Sequence, residues 1–159
     1  MAEDIPSGPA GRTLASRLIG MWRLVSREDR TAAGEWRTDP GLGADPVAIL
    51  VYDASGNFAA QFMKRDRSND VVHAASRAGL NKSTAINGYD AYFGSYKVDE
   101  TSGSVTQVLE GSLSPSDVGK LVTRELRVEG DILTIELAKT GGDGEPLTRT
   151  VVWRRSGPR

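Results

Sequence analysis

Residues 18–28 read Leu-Ile-Gly-Met-Trp-Arg-Leu-Val-Ser-Arg-Glu, and the phase of this stretch decides the fold. Taken as a strand, it places Gly20, Trp22, Leu24 and Ser26 on one face. Arg23 and Arg27 fall on the other, which suits water. Trp22 follows a glycine by two residues, so its indole can lie where another backbone passes close over Gly20. At the far end, residues 151–155 read Val-Val-Trp-Arg-Arg. A closed antiparallel barrel needs its first and last strands to meet, and an arginine there can cap the tryptophan face.

The chain between these ends has the rhythm of an antiparallel meander. Residues 1–12 are polar, carry Pro and Gly, and read as a disordered tail. Thr13 is placed to cap one helical turn over 13–18 that closes the bottom of a barrel. Residues 30–46 hold three glycines and two prolines and read as a long loop with Trp36 tucked against it. Strands follow at 47–53 and 58–64, joined by Ala54-Ser55-Gly56-Asn57. Over 66–91 the apolar residues Val71, Val72, Ala75, Ala78 and Leu80 take a helical spacing, so a short helical lid is expected across the barrel mouth. Hairpin patterns then run through 92–100, 104–110, 120–128, 131–138 and 147–155. The expected fold is all-β: an eight-stranded antiparallel up-and-down barrel over 13–155, with 156–159 as a tail.

Composition excludes several functions. Twenty basic against 21 acidic side chains give a net charge of −1, which speaks against a nucleic-acid partner, because phosphate binding needs an uncompensated basic surface. No apolar run approaches the length of a membrane span. The opening Met-Ala-Glu-Asp-Ile-Pro lacks the features of a secretory signal, and the expected location is cytoplasmic. With no cysteine, disulfides, thiolate metal sites and cysteine nucleophiles are excluded. No phosphate-cradling loop, nucleophile elbow or dinucleotide fingerprint is present. The single histidine, His73, cannot build a zinc site without partners and is read as a partly exposed residue of the connecting helix. No metal and no cofactor are expected.

Gly20-x-Trp22 resembles the lipocalin opening motif. The chain as a whole is similar to the bacterial and fungal lipocalin-like domain family through Leu50-Val51-Tyr52-Asp53-Ala54-Ser55-Gly56, Tyr92-Phe93-Gly94-Ser95-Tyr96-Lys97-Val98-Asp99, Glu110-Gly111-Ser112-Leu113-x-Pro115 and Trp153-Arg154. These motifs cover most of 18–155. The resemblance implies a barrel with a ligand cavity, and no single shared reaction.

Candidate site residues are polar groups on faces that otherwise read as lumen. Val122, Arg124, Leu126 and Val128 share a face, so Arg124 points inward. A buried arginine must be paired, with Glu110 or Glu28 as candidates, or must meet an anionic or carbonyl-bearing ligand. Tyr52, Tyr92 and Tyr96 are candidate anchors in an apolar pocket, with Gly94 leaving a gap between the last two. Gln61, Gln107 and Trp153 complete the ligand-binding set; period counting leaves the faces of the two glutamines open, because a one-residue bulge inverts a strand. Arg124 and Tyr96 are the catalytic candidates. Asp66, Arg67 and Asp70 form a charged constellation at a strand end, read either as a water-positioning group or as surface salt bridges.

The expected function is binding of a small, largely apolar molecule in the lumen, in polyketide- or terpenoid-like secondary metabolism. Two alternatives stay open. One is a cofactor-free cyclase or isomerase acting through shape, desolvation and hydrogen-bond donors. The other is a scaffold or dimerisation protein with a filled barrel. The expected state is a monomer or homodimer.

Overall fold

A computed structural model of the protein describes residues 12–67 and 85–157. Helix α1 (Leu14–Leu18) is one short turn whose start is capped by Thr13: its hydroxyl accepts from the Ser16 amide at 3.1 Å. The carboxylate of Glu100 takes the next free amides, Leu14 at 2.8 Å and Ala15 at 3.0 Å. Leu14 and Leu18 are buried, so this turn plugs one end of the sheet.

Nine strands follow in chain order: β1 (Gly20–Thr31), β2 (Trp36–Arg37), β3 (Val47–Tyr52), β4 (Asn57–Met63), β5 (Tyr89–Asp99), β6 (Ser104–Ser112), β7 (Leu121–Glu129), β8 (Ile132–Thr140) and β9 (Pro146–Arg155). Consecutive strands from β3 to β9 pair antiparallel, and β1 pairs with both β3 and β9. The β1–β9 ladder runs from Trp22↔Arg155 to Thr31↔Leu147 and closes an eight-stranded up-and-down barrel. The sequence anticipates this closure. It misses β2, a two-residue strand that flanks β1 at Asp29 and Arg30. Trp36 is accordingly not tucked inward: it is 55% exposed, with the Arg30 guanidinium 3.9 Å over its ring.

The Gly20–Trp22 pair is explained by an arginine, not by a passing backbone. Trp22 is fully buried and donates from Nε1 to the Leu18 carbonyl at 2.9 Å. Arg155 lies over its ring at 4.3 Å and donates to the carbonyls of Ile19 and Arg17. A Cβ on Gly20 would meet the Arg155 Nη1 at 2.8 Å, so glycine makes room for the guanidinium that seals the barrel seam.

One expectation lies largely outside the described residues, and another changes. Of the segment 66–91 expected to be helical, residues 68–84, with His73 and Asp70, lie outside the described residues, and 89–91 already belong to β5. The gap at Gly94 does not open between Tyr92 and Tyr96. The β5–β6 register shifts between Phe93 and Gly94, and a Cβ at Gly94 would meet the Val108 carbonyl oxygen at 1.8 Å. The neighbouring strand occupies that space.

The core is one cluster inside the barrel, with Trp22, Trp153, Tyr52 and Leu133 at its centre. Turns 53–56, 99–103 and 129–131 lie at the α1 end. The loop 38–46 and the β8–β9 hairpin lie at the other, where Leu42 dips inward to 2% exposure. Among the described residues no helix is long and apolar enough to cross a membrane.

Candidate functional site

The lumen is lined by alternate residues of each strand, and β7 shows the alternation clearly. Leu121, Thr123, Glu125, Arg127 and Glu129 are exposed, while Leu126 and Val128 are buried and Val122 and Arg124 half-buried. Arg124 thus stands on the inward face. Its charge acts on the phenols of Tyr52 and Tyr92, opposing the effect of their burial. Its hydrogen bond is a long one, from Nη1 to the Thr123 carbonyl at 3.4 Å. Among the described residues no carboxylate lies within ion-pair distance of it, Glu28 and Glu110 included.

The phenols divide by what they touch. Tyr52 is buried, and its hydroxyl accepts from Gln107 Nε2 at 2.8 Å, which leaves its own proton without an acceptor among the described residues. Burial, then the neighbouring Tyr92, pushes its pKa well above the ordinary phenol value, so Tyr52 stays a neutral donor. Tyr96 meets Tyr52 edge-on at 4.8 Å and donates its own proton to the Asp53 carbonyl at 2.6 Å. Tyr96 therefore props the Tyr52 ring with its hydroxyl committed elsewhere. Tyr92 packs between Phe58 at 6.1 Å and Phe62 at 6.3 Å. Its hydroxyl has no hydrogen-bond partner among the described residues, and burial, then Asp90, raises its pKa. Trp153 packs edge-on against Phe62 at 5.6 Å, and its buried Nε1 has no partner among the described residues.

Two candidates stand apart from this group. Gln61 lies on the outer face of β4, opposite Ile49 and Ala91, where it accepts a bond from the Tyr89 hydroxyl. The uninterrupted β3–β4–β5 register sends it outward, so it does not line the lumen. Arg67 donates to the Asn87 carbonyl at 2.9 Å and lies 5.5 Å over the Tyr89 ring, both on the surface. Asp70 is outside the described residues.

A buried charged group at the mouth escapes the sequence reading. The β1–β9 register shifts between Leu24 and Ser26, leaving Val25 as a bulge. Beyond it the strand is inverted, and Arg27, expected to face water, turns inward with a side chain 9% exposed. Asp29 follows it inside. Arg149 of β9 binds Asp29 through two bonds of 2.7 Å and reaches Asp39 at 3.1 Å, while Arg27 binds Asp39 at 2.8 Å. Asp39 brings the loop 38–46 into this network and takes the Gly41 amide at 2.7 Å. Arg149 shares a strand face with Leu147, Val151 and Trp153, and that phase was available as a signal.

The network tunes its own charges. Burial, then the nearby Arg149, lowers the Arg27 pKa despite Asp39. Burial pushes the Asp39 carboxyl up, but Arg27, the Gly41 amide and Arg149 outweigh it and hold it at about 2, against an ordinary 3.8. A carboxyl depressed on folding adds stability that is complete above its unfolded pKa and is lost as pH falls through its folded one. We expect Asp39 to contribute about 2 kcal/mol above pH 4, fading towards pH 2. Urea unfolding of the protein and of Asp39→Asn at pH 5, 4, 3 and 2 checks this. The stability gap between the two should close across the last two steps; a constant gap would contradict it.

A family model described as a lipocalin-like domain matches residues 19–156. No curated protein matches the chain. Among solved structures, the complex of bovine odorant binding protein with a selenium-containing odorant is similar at 12% identity and a TM-score of 0.48, covering 100% of this chain and 79% of that one.

Proposed function

Because the chain belongs to the lipocalin-like domain family, we propose that its barrel binds a small, largely apolar molecule carrying an acceptor oxygen, held in the lumen beside Arg124, Tyr52 and Tyr92. One observation carries the reading. The inward face presents hydrogen-bond donors that the described residues leave largely unmet: the Arg124 fork, whose one bond is the 3.4 Å contact to the Thr123 carbonyl, the Tyr52 and Tyr92 hydroxyls, and the buried Trp153 Nε1. Buried donors are normally satisfied, and a ligand carbonyl, enolate or carboxylate supplies the missing acceptors. Phe58, Phe62 and Trp153 supply the apolar walls. Polyketide- or terpenoid-like molecules of secondary metabolism have this chemistry.

A cofactor-free cyclase or isomerase is the second reading, favoured by the lack of a carboxylate beside Arg124 among the described residues. An arginine fork aimed into an apolar lumen stabilises negative charge developing on a substrate oxygen. Tyr96, held on the Asp53 carbonyl, then acts by holding the Tyr52 ring in place.

The test is fluorescence titration with 1-anilinonaphthalene-8-sulfonate, an apolar anion. Arg124→Met should weaken binding about tenfold to a hundredfold, the worth of a charge-assisted hydrogen bond, without lowering the unfolding midpoint. Arg124→Lys keeps the charge, loses the fork and should fall between. Wild-type affinity in Arg124→Met would end the lumen reading. For an enzyme, these variants would lose rate more than substrate affinity.

A further inference from the structure

At the barrel mouth three cations converge on two buried carboxylates. Arg27 on β1, Arg149 on β9 and Lys139 on β8 all act on the same two carboxylates, Asp29 on β1 and Asp39 on the 38–46 loop. Both carboxylates are already used. Asp29 gives both oxygens to Arg149, and Asp39 accepts from Arg27, Arg149 and the Gly41 amide. Across the rim, Glu145 is engaged by Arg37 at 3.3 Å, and Asp143 takes the Glu145 amide at 2.9 Å.

Lys139 is the group left over. It follows Leu133, Ile135 and Leu137 in phase on β8, so its side chain is half-buried and turned inward. It makes no hydrogen bond or ion pair with the described residues. It lines a cleft of about 180 Å³ between residues 37–40 and the β8–β9 turn, with its cross-strand neighbour Leu147 on the same wall. Burial first, then Arg149, lowers its pKa, and the opposing pull of Asp39 and Asp29 does not restore it. A lysine desolvated beside other cations is a stronger nucleophile at neutral pH than an exposed one.

We propose that Lys139 is a reactive amine that captures small apolar aldehydes in this cleft as a reversible imine. The lone pair of the neutral amine forms a bond to the carbonyl carbon, and the carbonyl π pair moves to oxygen, which takes up a proton as the nitrogen loses one. The carbinolamine then expels its hydroxyl with the second nitrogen proton as water, leaving a carbon–nitrogen double bond. No oxidant or reductant enters, and water reverses the step. The residues that line the cleft do not include Arg124, Tyr52 or Tyr92, and the proposal stands whether or not the lumen beside those residues binds a ligand.

The experiment treats the full folded chain at pH 7 with hexanal and sodium cyanoborohydride and follows alkylation of each lysine by peptide mass spectrometry. Lys97 is exposed on β5 and serves as the internal reference. Lys139 is expected to react about tenfold faster than Lys97 in the folded chain and at the same rate in 6 M guanidinium chloride. Arg149→Met removes the neighbouring cation and should slow Lys139 towards the Lys97 rate, in a variant first shown by circular dichroism to be folded. If that variant does not fold, raising the pH from 7 to 9 serves instead, and the advantage of Lys139 over Lys97 should shrink. Reaction of Lys139 no faster than Lys97 in the folded chain would overturn the proposal. Hexanoate binding that Lys139→Met abolishes, with Lys139 no faster than Lys97, would assign an anion site instead.

Discussion

Trp22→Ala is expected to cost about 3–5 kcal/mol, the range for truncating a large buried aromatic side chain. The indole is fully buried, so its removal leaves a cavity at the α1 end that the surrounding strands cannot fill. Two further interactions go with it. The Leu18 carbonyl loses the bond from Nε1, and the Arg155 guanidinium loses the ring beneath it. In a domain of this size that loss lowers Tm by roughly 10 °C. Urea unfolding monitored by far-ultraviolet circular dichroism reads it directly. Trp22→Phe should cost less, because a ring remains under Arg155. An alanine variant with an unchanged midpoint would show that the seam between β1 and β9 closes without the indole.

The barrel was legible because its signals are periodic and local. Alternation along β3, β4 and β7 marks which residues face inward, and the turn at 53–57 joins its strands at the expected place: the Asp53 carboxylate takes the amides of Ser55 and Asn57 at 2.9 and 2.8 Å. Arg124 follows the same counting, since β7 runs from Leu121 to Glu129 without a register shift. The counting fails where a strand gains a residue. Val25 bulges out of β1, and every residue beyond it changes face, which carries Arg27 and Asp29 into the interior. Nothing in Leu-Val-Ser-Arg marks that bulge, because the pairing partner that forces it, β9, lies about 120 residues away. Asp39 is hidden for a different reason: a loop carries no periodicity, and its side chain is placed by the two arginines it meets. Gln61 was ambiguous by counting alone, and the β3–β4–β5 ladder resolves it to the outer face.

Asp29→Ala is expected to cost about 3–5 kcal/mol, as breaking a buried ion pair does when one partner is left behind. Arg149 would keep one bond, to Asp39, at 3.1 Å, and Asp39 would have to answer two arginines alone. The penalty is that of an uncompensated buried cation, so it should disappear when the cation goes too. Asp29→Leu combined with Arg149→Met replaces both charges by apolar groups, and this double variant should be clearly more stable than Asp29→Ala. Unfolding free energies of the wild type, Asp29→Leu, Arg149→Met and the double close a cycle, and a coupling energy of at least about 1.5 kcal/mol is expected for groups in bidentate contact. Simple additivity would mean that the pair does not hold the mouth together. The network joins β1, β9 and the loop 38–46, so it fixes where that loop crosses the barrel end. A buried network that costs so much to disrupt and so little to replace contributes mainly to position. In this barrel it sets the rim beside which Lys139 stands.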